Sequence, residues 1–287
     1  MIKSASFIGS GKIVHSLIPA LTKKNISVKS VYSLNSAELS FLNSNYKVFT
    51  VNNLSELLPS DIIFIAVPDS LISEIAVELS RLTKNFSNTI FIHLSGSKTI
   101  TDLSSLAEKK YQVAGFHPMQ TFPSYEKVNL QNIYSAIETT DPEVFDSLKN
   151  LSQKLEMNPF EIKSEEKTAY HLMGVFVSNF MTANFFNADQ ITKQFGNIPK
   201  SQELLNIIAK QTLENILTNG AVNSLSGPIE RGDVETVKLH LEELKKDKTA
   251  LDHYTATSLT LLKIAFEKGS INQEKFNEIS ILLKNCN

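Results

Sequence analysis

The stretch "KTAYHLMGVFVSNF", residues 167–180, puts side chains suited to proton transfer at helical spacing. At about 100° per residue, Lys167, His171, Gly174 and Ser178 fall within a sector of about 60°, with Asn179 to one side. A cation, an imidazole, a gap and a hydroxyl along one face do not read as core. A histidine near its unperturbed pKa of about 6.5 exchanges protons at neutral pH, so His171 and Lys167 are candidate proton donors. Gly174 would let a flat ring approach. A mid-helix glycine is less favourable than alanine by roughly 1 kcal/mol, so it needs a reason. The alternative reason is a helix crossing at Gly174, with Lys167 in solvent.

Three other stretches gather polar groups where regular elements end. "TIFIHLSGS" finishes a strand with His93, Ser95, Gly96 and Ser97, and "GFHPMQTF" finishes another with His117, Met119, Gln120 and Thr121. A histidine at a strand end can equally be a satisfied structural residue. Read as a site, His117 joins the catalytic candidates, while Ser95, Gly96, Gln120, Ser178 and Asn179 bind substrate. "LSGPIERGDVETVKLHLEEL" holds Glu230, Arg231 and Asp233 in a tight loop, with Thr236 and His240 on one face of the helix that follows. The loop is either a clasp of mutual ion pairs or part of a site to which Arg231 contributes.

At the N-terminus, "SASFIGSGKIVHSLIPAL" runs from strand to helix through Gly9 and Gly11. In a G-x-G-x-x-G/A fingerprint the first glycine permits the turn, the second admits a pyrophosphate, and the third lets helix and strand pack closely. Val14 occupies the third position, a departure that touches packing only. Free N–H groups after Gly11 would face phosphate, making Gly9, Ser10, Gly11, Lys12 and Ile13 cofactor candidates. The rival reading is a plain strand–turn–helix. The next strand ends at Ser33, Leu34, Asn35 and Ser36, with no acid for a ribose and Glu38 already inside a helix. Ser33 and Asn35 suit a 2′-phosphate better than a carboxylate would, which favours NADP and leaves NAD possible. In "AVPDSLI", Val67, Pro68 and Asp69 would lie near the nicotinamide, although Asp69 serves equally as an N-cap.

The elements that must position these groups follow from periodicity. "SASFIG", "VKSVYSL", "KVFTV", "DIIFIAVP", "TIFIHLSG", "QVAGFHP" and "NIYSAIE" read as strands separated by amphipathic helices such as 71–82. "IIFIAV" is apolar at every position, as in a central strand covered on both faces. Beyond about Ser164 helical periods dominate: 165–195, 201–220, 233–245, 247–268 and 272–285, with Asp233 and Asn272 as N-caps. The expected architecture is α/β, a Rossmann-like doubly wound and mostly parallel sheet over residues 1–160, followed by an all-α domain over 161–287. The 287 residues suffice for two such domains. A net charge of −2 gives no reason to expect nucleic acid or an anionic membrane as partner. No run approaches the roughly 20 apolar residues of a membrane span, and the N-terminus enters a strand directly, so a cytoplasmic protein is expected. The one cysteine, Cys286, excludes disulfide frameworks and thiolate metal sites, and no metal is expected.

Gly9-Ser10-Gly11, Val67-Pro68-Asp69, "HLSGS", "GFHPMQTF", "YHLMGVFVSNF" and "SGPIERGDVETVKLHL" together resemble proteins that join a Rossmann-like NAD(P)-binding domain to a C-terminal domain of unknown function, number 2520. The resemblance spans essentially the whole chain. The layout is more distantly similar to pyrroline-5-carboxylate reductases, deazaflavin-dependent NADP oxidoreductases and β-hydroxyacid dehydrogenases, with a helical domain like that of 6-phosphogluconate dehydrogenases. The resemblance implies an NAD(P)-dependent oxidoreductase, often an intertwined dimer, with substrate between the domains. β-Hydroxyacid dehydrogenases pair a catalytic lysine with an asparagine one helical turn on. Here His171 stands at that spacing from Lys167.

The expected function is hydride transfer between NADP(H) and a small carbonyl or imine compound, in a cleft walled by helix 165–180. The rival is a dinucleotide-binding sensor or scaffold without catalysis, and a second cofactor such as a deazaflavin is a third reading. "MGVFVSNFMTANFF" is apolar over more of its circumference than a surface helix needs, so a homodimer through the helical domain is expected.

Overall fold

A computed structural model describes residues 1–82, 86–193 and 201–285. Its strands are β1 (Ser4–Ile8), β2 (Ser27–Tyr32), β3 (Thr50–Val51), β4 (Ile62–Ile65), β5 (Ile90–His93), β6 (Gln112–Pro118), β7 (Tyr134–Glu138) and β8 (Asn158–Glu161). Among the described residues they form one sheet in the order β3-β2-β1-β4-β5-β6-β7-β8. Pairing is parallel from β3 across to β6, antiparallel between β6 and β7, and parallel again between β7 and β8. The order of the first six is that of a doubly wound dinucleotide-binding sheet, whose ligands lie outside the carboxyl ends of the strands. The sequence reading did not include β8. Its "NPFE" carries a proline, which an edge strand tolerates.

The first unit's helices are α1 (Val14–Lys23), α2 (Ser36–Tyr46), α3 (Ile72–Arg81), α4 (Ser104–Ala107), α5 (Pro142–Lys154) and α6 (Lys167–Gly174). They cover both faces of the sheet. In β4, Ile62 and Phe64 pack with Val14, Leu17 and Leu21 of α1 and with Val144, Leu148 and Leu151 of α5. Ile63 and Ile65, on the other face, pack with Ile72, Ala76 and Leu79 of α3. Side chains alternate across a strand, so a run apolar at every position has both faces buried. Val14 is fully buried against this core. The departure from the glycine fingerprint is thus a core residue.

After Gly174 the backbone widens into a π-turn, Val175–Asn179, before α7 (Phe180–Thr192). Residues 194 and 195 of the helix expected over 165–195 lie outside the described residues, as does Cys286. The remaining helices are α8 (Ser201–Ser224), α9 (Val234–Leu244), α10 (Lys248–Glu267) and α11 (Gln273–Lys284). Asp233 and Asn272 cap α9 and α11 as the sequence predicts, their side chains accepting from the Thr236 and Lys275 backbone N–H. The chain divides into two compact units, Met1–Phe180 and Met181–Asn287. The helical stretch 167–180 therefore belongs with the sheet. The second unit has its own core, which includes Ile229, Val237, Leu262 and Ile279. Among the described residues no helix is long and apolar enough to cross a membrane.

Candidate functional site

The glycine turn is built from both neighbours of β1. Gly9 N–H donates to Tyr32 O at 2.8 Å, and Ala66 N–H donates to Ile8 O at 2.7 Å. Gly9 has φ +104°, and a Cβ there would lie 2.3 Å from the Ala66 carbonyl oxygen, so the fold itself demands glycine. Gly11 differs. Its backbone requires no left-handed conformation, and a Cβ would meet only Ala66 O at an ordinary 3.7 Å. Protein packing does not explain that glycine, whereas a group lying against the turn would. Ile13 at the N-cap of α1 has no side-chain bond to the helix, while the Val14 N–H turns back to Gly11 O at 2.9 Å and the Ser16 N–H to Ile13 O at 3.1 Å. Lys12 donates to Pro123 O at 2.7 Å, drawing the loop after β6 toward the turn. These residues fit a dinucleotide phosphate.

The end of β2 is less accommodating. Ser33 is buried, shares a 2.8 Å hydrogen bond with Ser10 and accepts from the Asn35 N–H at 3.1 Å. Asn35 caps α2 by accepting from Glu38 N–H at 3.2 Å. Both side chains hold the turn. Leu34 between them is 82% exposed. Glu38 is turned to the buried His15, with its carboxylate 3.1 Å from Nε2.

At the carboxyl ends of β4 and β5, the exposed Asp69 accepts from Ser95 Oγ at 2.6 Å and from Ser97 Oγ at 3.0 Å. Asp69 is therefore no N-cap; it opens a short 3-10 turn after Pro68, with no side-chain bond capping it. Ser95 Oγ also accepts from the Ser97 and Lys98 N–H groups. Val67 packs against the α3 side of the core.

His117 and His171 meet across Gly96. A Cβ on Gly96 would lie 2.9 Å from His117 Cε1 and Nε2 and 2.9 Å from His171 Cδ2. Glycine here makes room for the two rings. Both line a cavity of about 220 Å³ with Met119, Gln120, Thr121, Gly174, Ser178 and Asn179. The π-turn brings Ser178 and Asn179 to the same wall as His171. Such turns recur at functional sites. Gln120 bends back, its Oε1 accepting from the Thr121 N–H at 2.8 Å. His117 Nδ1 lies 3.0 Å from the Tyr170 hydroxyl. Burial, with the Lys167 and His171 charges, holds the His117 imidazole down to about 4.

Lys167 is neither in solvent nor at the cavity. It is buried behind it, Nζ donating to Glu138 Oε2 at 2.9 Å. Glu138 Oε1 takes Ser164 Oγ at 2.6 Å and the Ile100 N–H at 3.1 Å. His93 Nε2 stands 3.9 Å from Glu138 Oε2, and neither of its ring nitrogens finds a hydrogen-bond partner among the described residues. Burial, reinforced by the Lys167 charge, holds His93 down to about 3. Burial also lowers Lys167, against the pull of Glu138. A Cβ on Gly115 would lie 3.0 Å from Glu138, His93 and Lys167 alike, so that glycine makes room for the cluster. The sequence reading missed Glu138 and Tyr170. The signal for Glu138 was a carboxylate closing the apolar run "YSAIE".

Arg231 is exposed in the second unit, on the loop before α9. Its neighbour Glu230 accepts from Lys268 Nζ at 3.0 Å and Ser270 Oγ at 2.9 Å. This loop is thus tied to the turn that follows α10. The second unit also holds a cavity of about 350 Å³, mostly apolar, with His240 and Tyr254 among its lining residues. Their Nδ1 and hydroxyl are 3.0 Å apart.

Residues 4–95 match the family described as NADP oxidoreductase, coenzyme F420-dependent, and residues 133–261 match the domain of unknown function DUF2520. No curated protein matches the chain. Among solved structures, a Bacteroides fragilis protein provisionally named an NADP oxidoreductase superposes with TM-score 0.79 at 23% identity, over 91% of this chain and 98% of its own. Pyrroline-5-carboxylate reductase from Coxiella burnetii gives 0.57 at 15%, over 92% and 99%. A reductive aminase from Aspergillus terreus, in complex with NADPH and ethyl-5-oxohexanoate, gives 0.60 at 14%, over 99% and 93%. These likenesses are of fold. The chain thus matches the NADP oxidoreductase model over an N-terminal segment and the DUF2520 model over a later one, the pairing its motifs resemble.

Proposed function

We propose that the protein is an NADP(H)-dependent oxidoreductase acting on a small carbonyl or imine compound in the cavity between His117 and His171. The observation that carries the reading is the pairing of an open glycine turn, Gly9 to Ile13, with a cavity at the carboxyl edge of the same sheet that His117, His171, Ser178 and Asn179 line. When bound, the nicotinamide supplies or accepts a hydride. Gly11 and the uncapped start of α1 hold its phosphates, and Val67 to Asp69 lie beside the nicotinamide half. His171 is the proton donor at the cavity wall. His117 binds the substrate, with Ser178, Asn179 and Gln120 around it. Lys167 acts through Glu138, fixing α6 against β7, and Ser95 with Asp69 shapes the rim. Arg231 is proposed as a further substrate ligand.

The absence of a carboxylate at residues 33–36 supports NADP over NAD. Since Ser33 is committed to the turn, the exposed Leu34 is the position to probe. Leu34→Asp should move the NADPH-to-NADH affinity ratio toward NADH, and an unchanged ratio would argue against NADP preference. A panel of ketoacids, aldehydes and imines with NADPH, followed at the nicotinamide absorbance, tests catalysis itself. Turnover that His171→Ala reduces at least tenfold is expected. Binding of NADPH without turnover of any class would favour the sensor reading. We further propose a cytoplasmic location and a homodimer, the dimer supported by apolar side chains left exposed along 172–191 and α8.

A further inference from the structure

Tyr170 sits one residue before His171, on the side of His117 that faces away from Gly96. Its hydroxyl is 3.0 Å from His117 Nδ1, and the two rings stand edge to face, 5.5 Å apart at 89°. Phe160 on β8 packs against Tyr170 at 5.8 Å and holds the phenol in place. A neutral imidazole has one N–H and one lone pair, and the partner of one nitrogen decides which is which. A phenol is a better donor than acceptor, and a pyridine-type nitrogen is a strong acceptor. A Tyr170 O–H that donates to Nδ1 leaves the ring proton on Nε2.

The surroundings keep this pair in one protonation state. Facing His117 are Lys167 and His171 on α6, His93 on β5 and Asp69 after β4. Burial and the Lys167 and His171 charges disfavour a cationic His117, holding it down to about 4, while burial pushes the Tyr170 phenol up to about 12.

We infer that Tyr170 is a positioning residue whose hydroxyl fixes His117 as the Nε2–H tautomer, so that the cavity offers its ligand a neutral hydrogen-bond donor and takes a group with an acceptor oxygen, a carbonyl or carboxylate. The inference rests on the proposed reading of this cavity as the substrate site and narrows it. A carbonyl oxygen has a lone pair for Nε2–H, and an iminium nitrogen has none. A neutral imidazole polarises such an oxygen without giving up its own proton, so the proton that completes reduction comes from His171.

The tautomer is directly measurable in the full-length, ligand-free protein, with histidine nitrogens labelled with 15N and the imidazole correlations followed between about pH 5 and 8. His117→Gln identifies the His117 signals by their loss. The expected result is a protonated, pyrrole-type Nε2 and a pyridine-type Nδ1, unchanged through that range, and Tyr170→Phe converting them to a mixture of both tautomers. A proton on Nδ1, a cationic ring at neutral pH, or a Tyr170→Phe spectrum identical to the wild type would overturn the inference. If Tyr170→Phe does not fold, the wild-type spectrum still decides. The measurement needs no cofactor, so failure to bind NADPH would sink the proposed function without imitating any of these results.

Discussion

One buried histidine, one half-buried histidine and one buried ion pair give the site its residue-scale behaviour. His93 and His117 have imidazoles held near 3 and 4, below the 6.5 of an unfolded chain. Between those values the unfolded chain binds more protons than the native one. Their contribution is thus complete above about pH 6.5 and is lost as pH falls toward 3, by at most about 1.4 kcal/mol per pH unit for each histidine. Urea midpoints at several pH values check this: His93→Leu should flatten the acid slope, and an unchanged slope would contradict the assignment. Lys167 and Glu138 are both buried and share a 2.9 Å bond. Removing one partner from such a pair costs about 3–5 kcal/mol, because the other charge stays buried. Lys167→Ala and Glu138→Ala should each lose that much in denaturant unfolding. A loss below 1 kcal/mol would mean that the pair does not hold α6 to β7.

At the scale of elements, glycine identity separates what the fold needs from what the site needs. Gly9→Ala would place Cβ 2.3 Å from the Ala66 carbonyl oxygen and should not fold stably. A Cβ at Gly174 would meet Met119 Sδ at 3.4 Å and Cε at 3.9 Å, both on a flexible side chain. Gly174→Ala should therefore stabilise α6 by about 0.5–1 kcal/mol, while Gly174→Leu should fill the cavity and abolish turnover. Thermal unfolding and the substrate panel read the two effects separately. The first seven strands of the sheet, the order of helices and the caps at Asp233 and Asn272 were legible in the sequence, because alternation and turn chemistry are local. His171, Gly174 and Ser178 were legible as one helix face for the same reason, and His117 as the polar end of a separate strand. Lys167 was not placed correctly by helical angle, since its partner Glu138 is distant in sequence and only the β6–β7 antiparallel pairing brings β7 beside it. The π-turn escaped notice too: periodicity assumes a regular α-helix through 175–179.

For the whole molecule, the exposed apolar surface of the helices is the outstanding feature. In α8, Leu204, Ile207, Ile208, Leu213 and Leu217 are exposed, Leu217 to 76%, on a helix exposed almost all round among the described residues. A lone helix with that surface lacks the packing that stabilises helices in water. A second copy would supply it. Light scattering at micromolar concentration should give twice the 32.0 kDa chain mass, and Leu217→Lys with Ile207→Lys should shift the protein toward monomer or aggregate. A monomeric wild type would refute the dimer.

The central claim is that the turn from Gly9 to Ile13 holds a nicotinamide dinucleotide beside the His117–His171 cavity. Fluorescence titration of the full chain with NADPH, beside Gly11→Asp, tests it most directly. Gly11 tolerates added bulk within the protein, so the aspartate should leave the fold intact by circular dichroism while crowding and repelling the pyrophosphate. Saturable binding by the wild type that Gly11→Asp weakens at least a hundredfold is the predicted result. No binding of NADPH or NADH by the wild type, or equal binding by the folded variant, would contradict it.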